Sequence, residues 1–108
     1  MIDLGILYAI LRRTAAKRAM VGELDLARLY HAETGQWHSD EDWKASLADL
    51  NQNSAAAGLP PISALVTDDP KQGTYRAPAE RDYFGWIRLV AQVHLANWPQ
   101  HLSGNRAP

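Results

Sequence analysis

Apolar residues recur at helical spacing over residues 2–19, where Leu4, Leu7 and Leu11 are joined by Ile6 and Ile10. That spacing predicts a first helix. Arg12, Arg13, Lys17 and Arg18 crowd its end, where cations complement the partial negative charge of the last carbonyls. Residues 19–21 can form a very short strand before Gly22 breaks the pattern. A second helix is predicted over 23–33, with Leu24, Ala27, Tyr30 and His31 as its stripe and Leu26 and Leu29 reinforcing it. Glu23 and Asp25 fall in its first turn, where acids are favoured, and Gly35 is placed to end it. Ser39-Asp40-Glu41-Asp42 resembles a capping box, with Asp42 in the place usually held by Glu or Gln. It predicts a third helix that turns Trp43, Leu47, Leu50, Ser54 and Ala57 inward. Gly58 ends this helix, and Pro60-Pro61 forbid its continuation.

The period changes at Ile62. Ile62, Ala64 and Val66 alternate with Ser63, Leu65 and Thr67, which predicts a strand. Residues 68–73 are dense in turn formers, and 73–77 can return as a second strand, giving a hairpin with a long polar tip. Pro78 suits the first turn of a fourth helix running to about Trp98, with Tyr83, Trp86, Ile87, Val90, Val93 and His94 on one arc. Pro99 stops it. One domain is expected over residues 1–99, with 100–108 as a frayed tail.

Composition narrows the class. The chain has 108 residues, 46% of them hydrophobic, with a formal net charge of −1. That suits one ordinary core and not a disordered chain. Zero cysteines exclude a disulfide framework, a thiolate zinc site and a cysteine nucleophile. The apolar run from Leu4 to Leu11 is too short for a bilayer span, and its charges flank it in the wrong order for a signal peptide. A cytoplasmic protein without membrane contact is expected.

The element order is helix, short strand, helix, helix, hairpin, helix. It resembles an α+β winged helix-turn-helix domain, with three helices, a short strand and a β-hairpin wing, followed by an additional C-terminal helix. In that resemblance the short strand pairs with the hairpin into a three-stranded sheet. Within it, Gly22-Glu23-Leu24 with Leu26-Ala27, then residues 59–66, then Gly73-Thr74-Tyr75, look like the winged-helix domain of DNA alkyltransferases. Those proteins carry Pro-Cys-His-Arg-Val where this chain has Pro61-Ile62-Ser63-Ala64-Leu65. The acceptor cysteine and its histidine are missing, so alkyl transfer is not implied. The run from Gly58 to Val66 also resembles small uncharacterised bacterial and phage proteins.

A winged helix implies DNA binding, with the third helix reading the major groove. The charge distribution opposes that role. Residues 1–20 carry +3, residues 21–58 carry −5 and residues 59–108 carry +1, so the expected reading unit is the most acidic part. The predicted outward face of the third helix is Glu41, Ala45, Ala48, Gln52, Ala55 and Ala56. Gln52 has the chemistry to pair with adenine, but Asp40 and Glu41 repel phosphates. A face lined by alanine allows close approach of a protein partner, and alanine is also simply the best helix former. The four histidines, His31, His38, His94 and His101, lack metal-ligand spacing, and His94 reads as a hydrogen-bonded core residue.

The favoured expectation is a non-enzymatic regulatory adaptor or mobile-element inhibitor that binds a protein partner, or itself as a homodimer. Its interface would be Glu41, Ala45, Ala48, Gln52 and Ala55, with no cofactor and no metal. The alternative is a transcriptional regulator that binds duplex DNA through Arg12, Arg13, Lys17 and Arg18 with Lys71 and Arg76 on the wing.

Overall fold

A computed structural model describes residues 1–67 and 83–102. The predicted turn, the returning strand with Lys71 and Arg76, the start of the fourth helix and the tail from 103 onward lie outside the described residues. The described residues form an α+β arrangement, with four helices and a short two-stranded parallel sheet among them.

Helix α1 spans Leu4–Ala16, shorter at both ends than its apolar pattern. Asp3 sets the start, because its carboxylate accepts from the Ile6 N–H at 3.1 Å. Arg18 sets the end. It adopts the left-handed conformation at φ 52°, and the amides of Arg18 and Ala19 fold back onto the carbonyls of Ala15 and Thr14. Strand β1, Val21–Gly22, leads directly into helix α2, Glu23–Thr34. Gly35 caps α2 at φ 73°, with its N–H on the His31 carbonyl. The short strand thus starts two residues later than expected and takes in Gly22.

Helix α3 spans Asp40–Ala56. Its start follows the sequence signal: Ser39 Oγ accepts from the Asp42 N–H at 3.2 Å. Its end does too, since Gly58 at φ 74° lets Leu59 N–H reach the Ser54 carbonyl at 2.9 Å. Leu47, Leu50 and Ser54 face inward as expected, Ser46 is buried beside them, Trp43 is half-buried and Ala57 is exposed.

The expected strand over 62–67 is a correction. Ile62–Leu65 is a 3₁₀ turn, and only Val66–Thr67 is strand β2. β2 pairs with β1 in parallel, Val21 against Val66 and Gly22 against Thr67. The physical reason is the surroundings. The 3₁₀ turn packs against α1, α3 and α4, so all of its side chains are buried and no polar face is required. A short run buried on every side has no period to reveal its backbone. Asn51 holds it to α3, donating from Nδ2 to Ser63 Oγ at 2.7 Å and accepting from Ser63 N–H at 3.2 Å. On the far side Trp86 Nε1 donates to the Ala64 carbonyl at 2.9 Å.

Helix α4 spans Tyr83–Leu95 and does not reach Trp98. Trp98 instead turns back, donating from Nε1 to the Val93 carbonyl at 2.8 Å and meeting the Tyr8 ring edge-on. The Tyr8 hydroxyl donates to the Pro99 carbonyl, and Arg12 Nε donates to the Trp98 carbonyl at 3.2 Å. The expected boundary at residue 99 therefore falls short of the core. Leu102 is 1% exposed and packs with the other core residues. An apolar side chain three residues past Pro99 is drawn in because the chain is already pinned to α1 there.

Candidate functional site

Helices α2 and α3 form a corner whose outer surface is acidic. Glu23, Asp25, Glu33, Asp40, Glu41, Asp42 and Asp49 are all exposed. The outward residues predicted for α3 stand where expected: Glu41, Ala45, Ala48, Gln52 and Ala55 are each exposed, opposite Leu47 and Leu50. Three methyl groups, one carboxylate and one amide make up this exposed ridge. It offers close backbone approach and little hydrogen bonding.

The expected stripe of α2 needs correction. Leu26 and Tyr30 are buried, but Leu24 and Leu29 are exposed, Leu24 by 61%. Leu24 is exposed because α2 spends its inward arc on Leu26 and Tyr30, whose hydroxyl accepts from the Asp3 N–H at 2.9 Å. Leu24 instead edges a groove of about 570 Å³ between α2 and α3. Leu26, Ala27, Trp43, Leu47 and Val66 supply its apolar lining, and Glu23, Asp40, Lys44 and His38 supply polar groups. The volume falls within the range of small-ligand sites.

His38 gives the groove its unusual chemistry. Its side chain is only 9% exposed, and Nδ1 faces Asp42 Oδ2 at 3.4 Å. Tyr30 and Trp43 meet it edge-on with centroids at 5.6 Å and 6.4 Å. The capping box at Ser39-Asp40-Glu41-Asp42 accounts for the helix start and does not reveal the groove. The available signal was His38 four residues before Asp42 with Trp43 adjacent, a local cluster that only the α2–α3 corner closes over. Beside it, His31 stacks on exposed Trp37 at 4.1 Å between ring centroids.

The basic residues Arg12, Arg13, Lys17 and Arg18 stand at the end of α1. Arg12 is half-buried and serves the Trp98 carbonyl, while Arg13 lies 3.8 Å from Glu33. Lys17 caps α1, and exposed Arg18 forms the left-handed turn after it. Arg12 and Arg13 also line a smaller hollow of about 220 Å³ with His94 and Trp98. His94 is half-buried there, with Nε2 2.9 Å from the Ala19 carbonyl.

Tyr8, beneath this end, has its pKa raised by burial, partly offset by the nearby Arg12 charge.

Among the described residues, no group of three or more His, Asp or Glu side chains is placed to hold a metal ion. No helix among them is long and apolar enough to cross a membrane. Compared with known proteins, the chain matches no family model, no curated protein and no solved structure.

Proposed function

We propose that this chain is a small non-enzymatic module, of winged-helix-like layout, that binds another protein through the α2–α3 corner. The observation that supports this reading is the concentration of acid and apolar surface on one corner. The ridge of Glu41, Ala45, Ala48, Gln52 and Ala55 is exposed, and an apolar groove opens beside it. Exposed leucine next to a groove is the surface that a partner desolvates on docking, and alanine at a contact lets helices approach closely. The acidic surround favours a basic partner and raises its rate of encounter. A regulatory adaptor or inhibitor fits this description.

The test is affinity capture from the native host with the wild-type chain and with Ala45→Arg and Ala48→Arg. Both alanines are exposed, so the folded state tolerates the change within about 0.5 kcal/mol. The expected result is a specific protein recovered by the wild type and lost with both variants. Recovery of the same proteins by all three chains would refute the reading.

Duplex DNA is the second reading. It draws on the exposed Arg13, Lys17 and Arg18 at the end of α1. Non-specific contact of that kind binds at roughly 10⁻⁴–10⁻⁶ M at physiological salt and weakens as salt rises. Fluorescence anisotropy with a labelled random duplex at low salt decides it: no rise into that range removes the DNA reading.

A further inference from the structure

His38 closes the inner wall of the α2–α3 groove with a hydrogen-bonding deficit. A carboxylate can only accept, so the Asp42 contact places the proton of the neutral ring on Nδ1. Nε2 is then an acceptor. It is buried and has no hydrogen-bond partner. The flanking rings of Tyr30 and Trp43 hold the imidazole in that orientation. A buried acceptor without a donor is a stored cost that an entering N–H can relieve.

We propose that the groove takes an arginine side chain of the protein partner, an inference that rests on the protein-binding reading above. Three features of the groove match an arginine. Its apolar walls, Leu24, Leu26 and Leu47, suit the aliphatic stem. The half-buried Trp43 indole offers a face on which a guanidinium stacks. The His38 acceptor needs a donor, and the exposed Asp40 carboxylate at the groove favours a donor that is positively charged. Lys44 is the opposing charge at the rim, and it is exposed and long enough to turn to solvent. Nε2 is buried in this structure, so the guanidinium reaches it only as the groove opens around the incoming side chain. A neutral donor such as tyrosine would not answer the Asp40 charge. A lysine ammonium lacks the planar fork that stacks and donates together.

The experiment is a titration of the isotope-labelled full chain with the blocked tripeptide Ala-Arg-Leu, followed by two-dimensional NMR. Its counterparts carry citrulline, a neutral isostere, or glutamate in place of the arginine. The expected result is saturable movement of the Trp43 indole N–H and the Leu24 and Leu26 methyls with the arginine peptide. Binding falls roughly tenfold with citrulline and vanishes with glutamate. His38→Phe keeps the ring and removes the acceptor, so it also weakens the arginine peptide roughly tenfold. If that variant fails to fold, the citrulline comparison on the wild-type chain decides. Non-saturating shifts, equal binding of citrulline, or shifts confined to residues outside the groove would overturn the proposal. A failed titration alongside host capture that Ala48→Arg abolishes removes the arginine site alone and leaves the protein-binding reading standing.

Discussion

Asn51 is the joint between α3 and the 3₁₀ turn, and Asn51→Ala tests whether the turn depends on it. The substitution removes both hydrogen bonds to Ser63, the one donated to Oγ at 2.7 Å and the one accepted from the backbone N–H at 3.2 Å. Ser63 is fully buried, so its amide has no water to turn to. An ordinary hydrogen bond contributes about 1 kcal/mol, and a buried amide left unpaired costs about 1–3 kcal/mol. The expected loss is therefore roughly 2–3 kcal/mol, allowing the Ser63 hydroxyl to find another acceptor. For a domain of this size that lowers Tm by on the order of 8–20 °C. Asn51→Asp is the informative control. An aspartate oxygen still accepts from the Ser63 N–H, and the second oxygen accepts from the hydroxyl once it rotates. It should retain most of the stability that Asn51→Ala loses. Urea unfolding reads the change as a shift of midpoint at constant slope. In a double-mutant cycle with Ser63→Ala, the pair should couple by about 1 kcal/mol. An Asn51→Ala chain within about 0.5 kcal/mol of wild type would refute the clamp, because that is the range of an ordinary surface change.

Leu102→Ala should cost about 2–5 kcal/mol in urea unfolding, as expected for a large-to-small change at a core position, whereas a change at a frayed terminus would cost nothing measurable. Gly35→Ala should destabilise by roughly 1–2 kcal/mol although a Cβ there meets nothing within 4 Å, because φ 73° is the left-handed region; Gly35→Asn should recover part of that in the same thermal scan. The raised Tyr8 pKa makes its contribution to stability complete below the unfolded value of 10.0 and lost as pH climbs beyond it toward the folded value. Wild type should therefore lose more stability than Tyr8→Phe between pH 9.5 and pH 11 (about one unit around the ordinary phenol pKa), and parallel losses in the two chains would argue against this.

Much of the helical framework was legible because its signals are local. Ser39 three residues before Asp42, and glycines at 35 and 58, act on amides within one turn, so their effect does not depend on the rest of the fold. The outward ridge of α3 followed from the same periodicity. The 3₁₀ turn was not legible, since burial from three sides erases the alternation that separates strand from helix. Arg18 was misleading, because no rule of composition marks an arginine for the left-handed position that usually takes glycine. The spacing of Leu24 points it inward, yet it is exposed, because α2 turns Leu26 and Tyr30 to the core instead.

The sequence by itself determined the polarised charge, the absence of cysteine chemistry and the places where α2 and α3 start and stop. These depend on residue identity and on neighbours one turn away. The tertiary structure decided that Val66 pairs in parallel with Val21, that Leu102 belongs to the core and that His38 closes a groove. Each of these joins residues far apart in the chain or hides a side chain under another element. Burial of that kind is settled by the collective removal of apolar surface from water, which no local spacing encodes.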